Sequence, residues 1–246
     1  MRYKAIVSYD GTNYLGYQTQ VKGKTIQDSI EKAFKLMTRI PTKTFAASRT
    51  DKGVHAKYQV FHFDSDIDLS SDKWVLGLNK RLDEDIRIVK VVKVKDNFHA
   101  RYDAKSKLYT YRISKNPSTP FTALYEIYVP NFNFLLIRDL IKELEGTHDF
   151  SAFSPNKEGK DPIKTIYSFK AIETKTHYIF KIHGNQFLRY MVRSIMGNVI
   201  AIATNKKPIN HLKIMLETKD RLKTAKTAPA KGLFLSHIYY NKIGII

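Results

Sequence analysis

The chain of 246 residues contains no cysteine. That single absence removes disulfide staples, thiolate zinc sites and cysteine nucleophiles, and a reducing, cytoplasmic setting is the expectation that fits it. No stretch approaches the roughly 18 apolar residues that a membrane-spanning helix needs. Met1-Arg2-Tyr3-Lys4 leads straight into a strand-like alternation instead of a signal peptide, so no membrane partner is expected. Glycine-rich phosphate loops of the G-x-G-x-x-G or Walker type are missing, which leaves nucleotide cofactors without a cradle. The 8 histidines include no pair at the i, i+4 spacing of a helical metal site. "DSDIDLSSD" spaces Asp64, Asp66 and Asp68 like the opening of a calcium loop, yet it puts Leu69 where that loop needs glycine and Val75 where it needs a bidentate glutamate. Carboxylates just ahead of a helix start are explained by the helix's positive N-terminus. Neither a metal nor a cofactor is expected.

Acidic residues are also scarce, at 23 Asp and Glu against 42 Lys and Arg, for a net charge of +19. The surplus is spread along the chain: residues 1–105 hold 20 basic and 13 acidic residues, and residues 106–246 hold 22 and 10. A folded surface with that excess attracts polyanions by counterion release and long-range steering, which makes nucleic acid the leading class of partner.

The hydrophobic pattern alternates short strands and helices. "RYKAIVSYD" sets Tyr3, Ala5, Val7 and Tyr9 against Arg2, Lys4, Ile6 and Ser8, the period of a strand with one face more deeply buried, and ends in the turn signal Asp10-Gly11. Thr25 precedes Ile26, Ile30, Phe34 and Met37 at helical spacing, with Asp28 placed to serve the first turn. Strands are expected at 58–63 and 86–94, with a short helix near Ser71 between them. Further along, strands are expected at 108–113, 163–172, 178–182 and 233–239. Asn133 is placed to cap a helix that Gly146 ends, and a long buried helix is expected over 187–202. Many connections are too short for parallel crossovers, so the expected class is α+β with mostly antiparallel sheet. A boundary near residue 105 divides the chain into an N-terminal α+β part, 1–105, and a C-terminal one, 106–246.

Three stretches carry candidate chemistry. "FAASRTDKGVHA" places Arg49, Asp51, Gly53 and His55 within seven residues; Asp-x-Gly is a common turn, so the carboxylate alone proves nothing. "HARYDAKSKLYTYRI" mixes Arg101, Lys105, Lys107 and Arg112 with Tyr102, Tyr109 and Tyr111, cations and π-faces that suit unstacked RNA bases. Tyr109 and Tyr111 share a strand face, where an ordinary core face is the competing explanation. "NQFLRYMVRSIMG" places Arg189 and Arg193 four apart in an apolar helix, and a partly buried arginine needs an anion.

These blocks, together with "YDGTNYLGYQTQ" at 9–20 and "APAKGLFL" at 228–235, resemble in order those of the bacterial tRNA pseudouridine synthase A family along nearly the whole chain. The resemblance implies two similar subdomains whose antiparallel sheets join across a central basic cleft. It implies a cofactor-free isomerase that converts uridines 38, 39 and 40 of the tRNA anticodon stem-loop to pseudouridine, acting as a homodimer. Carried over residue by residue, it makes Asp51 the essential carboxylate and gives Tyr109 the stacking role. It also makes Arg193 the partner of Asp51, Leu233 part of the pocket floor, and Arg49 the residue that helps hold or extrude the nucleotide. Ser48 stands where the family usually has glycine, Lys52 where a small residue is usual, Tyr17 where tryptophan is usual, and Leu108 where a second basic residue usually follows Lys107.

The chemistry fits a lone acid. Isomerisation breaks the C1′–N1 bond, turns the uracil and rejoins it through C5, with no oxidant and no hydrolytic water. A carboxylate beside C1′ can attack the sugar, offset its developing positive charge or remove a neighbouring proton. A hydrolase would want a second carboxylate to direct water. The alternatives are a tRNA-binding protein or chaperone without catalysis, and an N-glycosidase that releases free base.

Overall fold

A computed structural model describes residues 1–155 and 161–241. The strands are β1 (Arg2–Tyr9), β2 (Phe45–Ala46), β3 (His55–Asp64), β4 (Ile86–Val94), β5 (Ser106–Ser114), β6 (Ile127–Tyr128), β7 (Gly146–Asp149), β8 (Ile163–Glu173), β9 (His177–Gly184) and β10 (Leu233–Tyr239). The helices are α1 (Ile26–Thr38), α2 (Ser71–Asn79), α3 (Phe134–Arg138), α4 (Met191–Ala203) and α5 (His211–Thr218). They fall into two compact units, one of Met1–Lys105 with the segment that begins at Phe234, the other of Ser106–Leu233. The chain passes from the first unit to the second after Lys105 and returns to the first at Phe234, the second residue of β10.

In the first unit β1 lies between β4 and β3, antiparallel to both. β2 adds antiparallel to β3, and β10 adds in parallel through Phe234 opposite His55 and Leu235 opposite Ala56. The alternation in β1 is realised, with Tyr3, Ala5, Val7 and Tyr9 buried and Ile6 buried as well. Thr25 caps α1: its hydroxyl oxygen accepts the Asp28 N–H, and the hydroxyl donates to the Asp28 carboxylate at 2.5 Å. The helix stops at Arg39, whose φ of 65° is left-handed. Its apolar stripe delivers Phe34 to a cluster of rings in which Phe34 lies 4.5 Å from Phe63 and 5.8 Å from Trp74, centroid to centroid, while Tyr3 stacks on Phe63 at 5.2 Å. Trp74 comes from α2, so two helices and two strands meet in one aromatic core.

In the second unit β9 is the spine, antiparallel to β5 from Lys107 opposite Gly184 to Ser114 opposite His177, and to β8 on its other side. β7 extends β8, and β6 lies parallel to β5. Helix α4 is buried along nearly its whole length, which explains its uninterrupted apolar composition.

Two helical expectations change. The helix expected over 187–202 begins only at Met191, because Tyr190 adopts φ 61°, a left-handed conformation that a right-handed helix cannot absorb. Arg189 therefore lies outside the helix and Arg193 in its first turn. The helix capped by Asn133, whose Oδ1 accepts the Leu136 N–H at 3.2 Å, stops at Arg138 and continues as a 3-10 helix over Leu140–Leu144. Of the apolar residues at helical spacing, Ile137, Ile141 and Leu144 are buried and Leu136 and Leu140 half-buried, so the spacing located the core side and misjudged the helix type. Among the described residues no helix is long and apolar enough to cross a membrane.

Phe34→Ala should remove the centre of the ring cluster and destabilise the protein by about 3–5 kcal/mol, read as a lower urea midpoint; a cost near zero would show that the cluster does not carry the first unit's stability.

Candidate active site

Asp51 sits on a tight turn between β2 and β3. The Val54 N–H donates to the Asp51 carbonyl at 3.1 Å, closing a four-residue turn with Lys52 and Gly53 at its centre. Gly53 takes φ 75°, the positive angle that the third position of such a turn demands and that glycine adopts freely. The Asp-x-Gly signature is therefore a turn, and the turn presents a half-buried carboxylate. Arg49 and Lys52 beside it are exposed, whereas Thr50 is buried.

The turn is held from both ends. Ahead of it, the Gln59 side-chain amide donates to the Ser48 carbonyl at 2.7 Å and the Ala47 N–H donates to the Val60 carbonyl at 2.8 Å. Behind it, His55 is buried and stacks on Phe234 with ring centroids 4.7 Å apart. Its Nδ1 accepts the Gly11 N–H at 3.1 Å and lies 3.0 Å from Asp10 Oδ1.

The loop after β1 packs directly on this turn. The Tyr17 N–H donates to the Thr50 carbonyl at 3.1 Å, and the Tyr9 hydroxyl shares a hydrogen bond of 2.8 Å with the Thr50 hydroxyl. Two glycines make the approach possible. A Cβ on Gly11 would lie 2.0 Å from the Val54 carbonyl oxygen, and one on Gly16, whose φ is 110°, would lie 2.6 Å from the Thr50 carbonyl oxygen. Tyr17 fills the space beneath, its ring 6.1 Å from that of Tyr9, and complete burial pushes its hydroxyl pKa well above the ordinary value. The first glycine block of the sequence is thus the physical support of the Asp51 turn. Sequence reasoning did not assign that role to Tyr9, Gly11 or Gly16, because their spacing to Asp51 along the chain carries no trace of it.

The remaining candidates lie in the second unit. Tyr109 projects from β5, is 6% exposed, and meets Phe187 edge-on with centroids 5.1 Å apart. Tyr111, two residues on, is fully buried; its hydroxyl donates to the Pro229 carbonyl at 2.8 Å. Burial raises the Tyr111 pKa, and the nearby positive charge of Arg193 opposes that rise. Tyr111 is therefore a core residue that fixes the segment before β10, while Tyr109 packs perpendicular to Phe187. A Cβ on Gly232 would lie 2.9 Å from the Tyr111 ring, so that glycine lets the ring slide under the turn leading to Leu233, itself 4% exposed.

Arg193 is half-buried in the first turn of α4. Its Nε donates to the Ala228 carbonyl at 2.9 Å, the Ala228 N–H donates back to the Arg193 carbonyl at 3.0 Å, and its guanidinium lies 5.3 Å from the Tyr190 ring centroid. The segment it grips runs close along the helix: a Cβ on Gly197 would lie 2.2 Å from the Lys226 carbonyl oxygen. Asn198 fastens the same segment, donating to the Thr224 hydroxyl at 2.8 Å and accepting the Ala225 N–H at 2.9 Å. Arg189, its neighbour four residues back, is exposed, with its guanidinium 4.9 Å from the same Tyr190 ring. Of the two arginines, Arg193 is the one on the buried side.

A family model described as tRNA pseudouridine synthase matches residues 5–103 and 140–241. Arg49, Asp51, Arg193 and Leu233 fall inside the matched residues, and Tyr109 falls between them. The chain is 44% identical over 238 residues to tRNA pseudouridine synthase A of Aster yellows witches'-broom phytoplasma (strain AYWB), covering 97% of this chain and 98% of the relative. It is 40% identical over 244 residues to tRNA pseudouridine synthase A of Exiguobacterium sp. (strain ATCC BAA-1283 / AT1b), covering 98% and 99%. A crystal structure of a Cbf5-Nop10-Gar1 complex aligns with a TM-score of 0.36 and 11% identity, over 80% of this chain and 44% of that one.

Because the atoms facing Gly11 belong to backbone, Gly11→Ala should lower stability by about 1–3 kcal/mol. Gly77→Ala should be close to neutral, since a Cβ there meets only the flexible end of Met37. Urea denaturation of both variants checks the contrast; equal costs would mean that the loop yields as easily as a side chain.

Proposed function

The chain belongs to the tRNA pseudouridine synthase family, and from that premise we propose that it isomerises uridine to pseudouridine in tRNA with Asp51 as the essential carboxylate. The observation that carries the assignment of Asp51 is its presentation, half-buried, on a turn whose backbone is fixed by the loop after β1. A reacting carboxylate must hold its geometry as charge develops, and a rigid turn supplies that without reorganisation. Attack on C1′, stabilisation of positive charge on the sugar and proton removal all require the acid to be ionised. The reaction conserves the atoms of the base: N1 takes a proton as C1′ leaves it, and C5 loses its hydrogen to water as the new bond forms.

Tyr109, Arg193 and Leu233 are the proposed uridine-binding residues, and Arg49 the one that holds the nucleotide out of its stack. Support for Tyr109 is its place on a β5 face, held edge-on by Phe187, because a fixed ring gives a flipped base a stacking surface worth about 1–3 kcal/mol. Support for Arg193 is its double tie to Ala228, which fixes a guanidinium that spacing alone left undirected. The family premise extends to the anticodon stem-loop as target, with uridines 38, 39 and 40 as the sites, to a homodimer and to a cytoplasmic location. The net charge of +19 supports a polyanionic partner. It suits a non-catalytic tRNA-binding protein equally well, but the family assignment does not favour that alternative.

Incubation with tRNA carrying tritium at uridine C5 should release label to water with no added metal or nucleotide, and Asp51→Asn should reduce release to background. Strict dependence on an added cofactor, or full activity of the Asn variant, would overturn the assignment. Appearance of free uracil would instead indicate a glycosidase. Lys52, exposed on the Asp51 turn, should contact phosphate: Lys52→Glu should weaken tRNA binding and reduce the slope of log affinity against log salt by about one unit, measured by filter binding, and an unchanged slope would exclude that contact.

A further inference from the structure

Resting on the assignment of Asp51 as the reacting carboxylate, we propose that the Tyr9 and Thr50 hydroxyls form a positioning pair that fixes the direction in which Asp51 points. The two oxygens are 2.8 Å apart in a buried setting, with Tyr9 5% and Thr50 7% exposed. Thr50 immediately precedes Asp51, so any rotation about its backbone swings the carboxylate.

Tyr9 is an unusually well-fixed anchor. It is the last residue of β1 and is paired on both sides, opposite Ala56 of β3 and Ile86 of β4. The β1–β3 register shifts between Val7 and Tyr9, and an irregularity of that kind redirects the side chain that follows it. From that place the phenol reaches a residue that belongs to neither strand. Its partner is restrained at a second point, because the Thr50 carbonyl accepts the Tyr17 N–H. The Asp51 carbonyl is occupied in turn by the Val54 N–H. Consecutive carbonyls on either side of the Asp51 peptide are thus pinned, and the hydroxyl pair adds the restraint that keeps Thr50 in one rotamer.

The substitutions that separate positioning from mere packing keep shape and remove one oxygen. Tyr9→Phe retains the ring, Thr50→Val retains the branched volume, and Thr50→Ser retains the hydroxyl. With the full-length protein and C5-tritiated tRNA, single-turnover rates at saturating enzyme should fall between about tenfold and a hundredfold for Tyr9→Phe and Thr50→Val, the range expected when a reacting group is displaced by a fraction of an ångström to an ångström. The dissociation constant for tRNA should stay within about twofold of wild type, because neither hydroxyl is placed to meet RNA. Thr50→Ser should recover most of the rate, and the Tyr9→Phe/Thr50→Val double variant should be no slower than the worse single one, as for two ends of one contact.

The measurements are made well below each variant's melting temperature, so the fraction unfolded does not enter. Rates within twofold of wild type, additive losses in the double variant, or a Thr50→Ser variant as slow as Thr50→Val would each overturn the proposal. Asp51→Asn run alongside separates the two levels. If it is inactive while Tyr9→Phe is normal, only the positioning role fails; if it turns over normally, the assignment of Asp51 itself fails.

Discussion

The close approach of two backbones is the constraint on which the Asp51 turn depends. The loop after β1 lies so near the 50–54 turn that no side chain fits at Gly11 or Gly16. A separation that small brings the Tyr17 N–H within hydrogen-bond reach of the Thr50 carbonyl, so the loop and the turn are joined through their main chains. The same contact explains why the carboxylate can sit on a turn at all. Turns are ordinarily the mobile parts of a fold; this one is wedged between a strand pair, a buried histidine and a glycine-built loop, and it acquires the rigidity of a core element.

Arg193 is held in a related way with different means. Its backbone and side chain both bond Ala228, and the segment from Thr224 to Ala228 is fastened along α4 by Asn198 and by the bare face of Gly197. Helix and segment therefore fix the guanidinium together. In both units a glycine permits main-chain contact, and the side chain proposed for the site, Asp51 in one and Arg193 in the other, emerges close to it.

Much of this was legible in the sequence, and what was legible was local. The alternation in β1, the Thr25–Asp28 cap and the strands 86–94 and 233–239 all follow from short-range rules of period and capping, and the structure realises them. The helix near Asn133 and the start of α4 were misjudged for a local reason too: apolar spacing reports a buried face, and a 3-10 turn or a left-handed residue such as Tyr190 leaves that face unchanged. The Asp51 turn could be read as a turn from Asp-x-Gly. Its support could not, because Tyr9 and Thr50 are 41 residues apart and nothing in either segment names the other. The resemblance to a known family supplied the site residues, whereas the pairing of hydroxyls behind them is visible only in three dimensions.

Charge completes the picture through a conflict it has to resolve. A carboxylate brought to a polyanion meets repulsion, and at physiological salt that repulsion persists over about 8 Å. The surplus of cations offsets it, and several of the other acids each lie beside a cation. Asp64 is bonded to Arg2 at 2.8 Å, Asp83 to Lys24 at 2.7 Å and Glu173 to Lys115 at 2.5 Å, while Asp149 lies 3.3 Å from Lys219. Pairs as exposed as these contribute little to stability. Each pair is locally neutral, so the sign of the whole is set by the surplus of 42 Lys and Arg over 23 Asp and Glu. A net +19 is then more than attraction for RNA. On the proposed assignment of Asp51, it is also the background that offsets the repulsion between one acid and a phosphate-rich substrate.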